Sequence, residues 1–95
     1  MRTYLVSYDL NSPRGTNDYT NLHKALKEHS GWWWHYLDST WIIKSNMSAA
    51  QIRDILKQYI DSGDELLVVR MSGEWASIGF SKEANDWLYS HISWE

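Results

Sequence analysis

The stretch that decides the fold runs from Thr40 to Met71, TWIIKSNMSAAQIRDILKQYIDSGDELLVVRM. Thr40 to Lys44 is rich in β-formers and reads as an extended segment. Ser48 followed by Gln51 is a capping box, in which serine hydroxyl and glutamine side chain each satisfy an amide that the first helical turn leaves open. Met47 stands where a hydrophobic staple reaches Ile52. Ile52, Ile55, Leu56, Tyr59 and Ile60 then recur at helical spacing, so the pattern predicts a helix from about Ala49 to Ile60. Asp61-Ser62-Gly63-Asp64 is a turn, and Glu65 to Met71 holds the unbroken apolar run Leu66-Leu67-Val68-Val69 expected of a buried strand. The stretch is therefore a strand–helix–strand unit.

Working outward, Trp32 to Leu37 is a second extended segment, separated from Thr40 only by Asp38-Ser39, which predicts a hairpin. Upstream, Thr3 to Asp9 alternates, with Tyr4, Val6 and Tyr8 on one side and Leu5, Ser7 and Asp9 on the other, as a half-buried strand does. Asn11 to Asn17 is a polar connection, and a helix follows from about Asp18 to His29. Tyr19, Leu22, Ala25, Leu26 and His29 form its core stripe, and Gly31 stops it. Downstream, a short extended piece from Glu74 to Phe80 precedes a last helix from Lys82 to about Ile92. Ser81 caps that helix, and Ala84, Trp87, Leu88 and His91 line its inner face. The order predicts an α+β, ferredoxin-like βαββαβ core over about residues 1–71 and a C-terminal helical extension over 72–95, in a single domain. Both core helices would cover one sheet face, leaving the other to the extension, a ligand or a second copy of the chain. A homodimer is the expectation.

Composition narrows the function classes. Ninety-five residues bury roughly 65% of the unfolded chain's surface, enough for one core. There is no Cys, which excludes disulfide frameworks, thiol catalysis and Cys-based metal sites and fits a reducing cytoplasm. No apolar run approaches the ~18 residues of a spanning helix, so no membrane role is expected. The net charge of −3 argues against generic neutralisation of long duplex DNA. Seven Trp and six Tyr, by contrast, exceed what so small a core requires. The surplus rings serve either a protein interface or the stacking of bases.

Four groups of residues carry candidate chemistry. Asp9 ends the first strand beside a polar loop, where a carboxylate either accepts amides of the following turn or holds a metal. If two first strands met in a dimer, paired Asp9 side chains could share a magnesium ion that polarises a phosphodiester and activates water. In the connection, Asn11 and Arg14 lie before a helix N-terminus, which makes the loop either an anion site, with Ser7 of the preceding strand as a further ligand-binding candidate, or an ordinary solvated one. Trp33, His35 and Trp41 can form an aromatic surface for a base, or equally a dimer core. The four His show none of the usual metal-binding spacings, and together with Lys24, Lys27, Lys44, Arg53 and Lys57 are expected mostly at solvated positions.

The opening Met1-Arg2-Thr3-Tyr4-Leu5-Val6-Ser7-Tyr8-Asp9-Leu10 resembles that of the CRISPR-associated adaptation-subunit family, the small ferredoxin-like dimers of the spacer-integration complex. The segments Gly31 to Ser45 and Gly73 to Leu88 resemble short bacterial and phage proteins known as SinR-like, although no basic recognition helix is readable in this chain. The first resemblance implies the ferredoxin-like fold and a homodimer, with Asp9 as the metal ligand of nuclease-active members. Taken together, the expectation is a homodimeric module for a nucleotide or short single-stranded nucleic acid. A magnesium-dependent nuclease centred on Asp9 and an interaction protein without a ligand are the alternatives.

Overall fold

The computed structural model describes residues 1–10 and 18–92. Its elements follow in the order β1 (Arg2–Asp9), α1 (Asp18–Glu28), β2 (Trp32–Leu37), β3 (Thr40–Ser45), α2 (Ala49–Leu56), β4 (Glu65–Arg70) and α3 (Lys82–His91). The four strands form one sheet in the order β2-β3-β1-β4, with every neighbouring pair antiparallel. The result is a small mixed α+β domain, compatible with a ferredoxin-like arrangement. Among the described residues no helix is long and apolar enough to cross a membrane.

The alternation of β1 sets up two cores. Tyr4, Val6 and Tyr8 join Trp41 and Ile43 of β3 beneath Leu22, Ala25 and Leu26 of α1 and Ile52 and Leu56 of α2. On the opposite face, Trp34 of β2 and Ile42 of β3 pack against Ala84, Leu88 and Ile92 of the C-terminal segment. Side-chain hydrogen bonds pin these layers. The Tyr4 hydroxyl donates to the Met47 carbonyl at 2.7 Å, and the Thr3 hydroxyl to the His91 carbonyl at 2.7 Å. The Trp34 indole donates to the Ala84 carbonyl at 3.1 Å, which satisfies a polar atom that burial would otherwise leave costly.

Both expected N-caps form. Ser48 Oγ accepts the Gln51 amide and Gln51 Oε1 accepts the Ser48 amide, while Ser81 Oγ accepts the Ala84 amide. α2 itself ends at Leu56, and Lys57–Tyr59 tightens into a 3₁₀ turn, so the stripe expected to continue to Ile60 as α-helix does so through a different coil.

Other expectations need correction. The apolar run of β4 is not a buried strand. β4 is an edge strand in which Leu66 and Val68 turn toward α1 and α2, while Leu67 and Val69 are 58% and 43% exposed. The reason is coverage: α3 and its approach pack over β2 and β3, and among the described residues none covers Leu67 and Val69 on the outer face of β4. The stretch from Glu74 to Phe80 pairs with no strand and crosses the sheet as irregular chain. His29 lies beyond the last residue of α1 and is exposed. β2 also departs from simple alternation: its register to β3 shifts between Trp34 and Leu37, a bulge that places His35 and Tyr36 against a single opposing residue.

Candidate functional site

The residues singled out in the sequence divide between the two sheet faces. Ser7 and Asp9 lie on the face away from α1 and α2, following the alternation of β1. Ser7 is drawn into the β1–β3 ladder, its Oγ 3.2 Å from Thr40 Oγ1 and 3.4 Å from the Ser39 carbonyl. Asp9 is exposed at the strand end and stands in register with Glu65 of β4. A shallow opening of about 360 Å3 lies there, bounded by both carboxylates together with Ser7, Tyr8, Leu66 and Leu67. Among the described residues no three His, Asp or Glu side chains gather as a metal cluster. Asn11 and Arg14 lie outside the described residues.

Trp33, His35 and Trp41 do come together, on the other face and beside α1. β3 supplies Trp41, which is 0% exposed and packs into the main core. His35 from the bulge of β2 stacks on it, with ring centroids 4.1 Å apart and planes 14° from parallel. Trp33, in register with Ile43, lies 5.4 Å from Trp41 and remains 43% exposed. His35 follows Trp33 onto this side by ordinary alternation, and the bulge sends Leu37, two positions further, to the wall of the opposite cavity.

α1 contributes two residues that sequence reasoning left among the solvated ones. His23 and Lys27 sit one helical turn apart and so share the helix flank that faces β2. The His23 ring lies 5.0 Å from His35 and 5.1 Å from Trp41, and its Nε2 is 2.7 Å from the Tyr8 hydroxyl. The Trp41 indole N–H donates in turn to the Tyr8 oxygen at 3.3 Å, so β1, α1 and β3 are joined by a polar chain under the aromatic surface. Lys27 Nζ stands over the Trp33 ring, 4.9 Å from its centroid, a cation–π contact. The sequence signal available for His23 is its place directly after Leu22, on the shoulder of the core stripe of α1, which does not say which strand it meets.

Electrostatics follow from this packing. Burial, then the neighbouring His35 and Lys27 charges, hold the His23 imidazole below its ordinary pKa, so the neutral ring is favoured. His91 on the far face behaves likewise, through burial and Lys44, and lies among Trp32 and Trp87 at 5.4 and 4.2 Å. Outside the aromatic cluster an open cleft of about 420 Å3 is bordered by Thr20, His23, Lys24, Lys27 and Glu28. It offers two ammonium groups and an imidazole, and Lys27 links it to the half-exposed Trp33 ring outside that lining. Lys24 also pairs with Glu28 at 3.9 Å, an exposed and therefore weak contact.

No family model matches this chain. Among solved structures, the crystal structure of hypothetical protein TT1823 from Thermus thermophilus is similar at a TM-score of 0.60 and 19% identity, over 83% of this chain and 92% of that one. A likeness at this identity concerns the fold alone.

Proposed function

We propose that this chain is a ferredoxin-like βαββαβ domain with a C-terminal helical extension that works as a homodimeric binding module for a nucleotide or short single-stranded nucleic acid. The observation that carries the reading is Trp33, an indole 43% exposed with Lys27 Nζ 4.9 Å from its ring centroid. A stacking ring next to a cation is the pairing that single-stranded nucleic acid uses, the ring taking a base and the cation a phosphate. Behind it, His35 and buried Trp41 stiffen the ring's position, and Lys24 adds a second cation at the cleft. This refines the expected aromatic surface: Trp33 meets the base, whereas Trp41, fully buried, supports it. Self-association is supported by Leu67 and Val69, neighbouring apolar side chains that point outward from an edge strand.

A second reading, a magnesium-dependent nuclease, is favoured by the register of Asp9 with Glu65. Magnesium keeps most of its waters and is commonly held by one or two carboxylates together with substrate phosphate, a demand that two carboxylates on one ladder meet. Asp9 and Glu65 would hold the ion, which would supply polarisation of a phosphodiester. The two readings use opposite faces and so separate by mutation.

The test is a thermal-shift series with mononucleotides, short single-stranded oligonucleotides and magnesium, on the wild type and on Trp33→Ala and Asp9→Ala. A ligand at ~100 times its Kd stabilises the fold by about 2.7 kcal/mol. An oligonucleotide shift that disappears in Trp33→Ala and survives in Asp9→Ala is expected. Magnesium-dependent cleavage lost in Asp9→Ala would favour the nuclease, and no shift with any of these would leave a protein that serves only as an interaction surface.

A further inference from the structure

On the face opposite the aromatic site, the C-terminal segment does not close fully onto the sheet. A cavity of about 130 Å3 lies between them. Its walls include Leu5 of β1, Trp34 of β2, Ile42 of β3, Met71 and Phe80 of the crossing chain and Leu88 of α3. No charged residue is among its described lining. Three of the polar side chains on the wall are engaged within the protein: the Trp34 indole with the Ala84 carbonyl, Thr40 with Ser7, and Ser77 Oγ with Asn85 Oδ1 at 2.6 Å, while Trp75 contributes a further indole. The interior therefore presents apolar and ring surface to whatever enters.

The roof is the irregular chain over residues 72–80. Gly73 and Gly79 flank Trp75 to Ile78 with φ of 79° and 91°, the left-handed region that a Cβ disfavours. These two glycines let a strap with no strand partner cross the sheet, and Trp75 and Phe80 hang from it toward the core of α3. The strap is fastened at both ends, by the Met71 amide on the Thr3 carbonyl at 2.8 Å and by Ser77 on Asn85 of α3.

We infer that this cavity is a binding site for a small, uncharged, apolar ring compound of about six to eight non-hydrogen atoms. Size and lining both support it: the space matches a small ring, and although it opens toward solvent its wall is almost wholly apolar and gives water few polar partners. The groove between Trp34, Phe80 and Leu88 leaves apolar surface without packing partners, and a ring seated there would supply dispersion contacts. A charged ligand is disfavoured, because the described wall offers it no charged partner. The site is independent of Trp33 and its cleft, which lie across the sheet.

The experiment is a titration of the full chain with benzene and with sodium benzoate, followed through the methyl resonances of Leu5, Ile42, Met71 and Leu88 and through the thermal midpoint. Saturable methyl shifts and a rising midpoint with benzene, none with benzoate, and the same response in Trp33→Ala are expected. Leu5→Phe, which fills the cavity, should abolish the response. Should that variant fail to fold, Leu5→Ala, which enlarges the cavity, should instead gain binding of indole. Absence of any saturable shift with benzene, or an unchanged response in folded Leu5→Phe, would overturn the assignment. So would a self-association that Leu5→Phe abolishes, since the cavity would then be filled by a second copy of the chain.

Discussion

At the scale of single residues, the two tryptophans of the candidate site have opposite duties. Trp41 is fully buried among Tyr8, Ile43 and α1, so Trp41→Ala should remove about 3–5 kcal/mol of stability. Trp33 is nearly half exposed, and Trp33→Ala should cost about 1 kcal/mol or less while weakening ligand binding. Urea unfolding of both variants checks the contrast. His23 predicts a pH dependence whose sign is fixed. Its pKa in the folded chain is below its ordinary value of 6.5, so the unfolded chain binds the proton more readily. The stability that neutral His23 brings is complete above pH 6.5 and is lost as the pH falls from there through the depressed native value. The thermal midpoint should accordingly drop as the pH falls below the ordinary value of 6.5, and less steeply in His23→Gln, with His91 supplying the remainder in the same direction.

At the scale of elements, local chemistry was the most legible part of the chain. Ser48 and Gln51 announced the start of α2, and the reciprocal bonds are both present. Ser48→Ala should remove about 1 kcal/mol, lowering the thermal midpoint by about 4–8 °C, whereas Ser48→Asp should retain most of it. β1 was equally readable, because Tyr4, Val6 and Tyr8 all reached the core that their alternation called for. β4 was not. An apolar run of four residues looks the same whether one face or both will be covered, and coverage depends on where α3 lands, 12 residues after the strand closes at Arg70. The bulge in β2 was also hidden, since Trp32-Trp33-Trp34-His35-Tyr36-Leu37 contains no Gly or Pro to mark it. It sends Leu37 to the opposite face while leaving Trp33 and His35 together, as alternation alone requires.

At the scale of the whole molecule, a mixed α+β domain was legible in the sequence of elements, while the covering of the second sheet face and the site depended on contacts between elements far apart in the chain. Trp33, His35 and Trp41 were recognisable as spare aromatics. His23 and Lys27 were not recognisable as their neighbours, because helix periodicity says which flank a residue occupies and not which strand that flank meets. The outward side chains of β4 also predict the assembly. If Leu67 and Val69 seat a second copy, Leu67→Lys combined with Val69→Lys should yield a monomer by light scattering with little loss of stability, since both are exposed in the single chain. The claim on which the functional account turns is that the indole of Trp33 and the ammonium of Lys27 act together on single-stranded nucleic acid. The most direct test is fluorescence anisotropy of a labelled single-stranded oligonucleotide titrated with wild type, Trp33→Ala and Lys27→Ala over a range of salt. The account predicts that loss of the ring weakens binding about tenfold or more at every salt concentration, and that loss of Lys27 reduces the salt slope by about 0.7. Equal affinity for all three proteins, or no binding by the wild type, would contradict it.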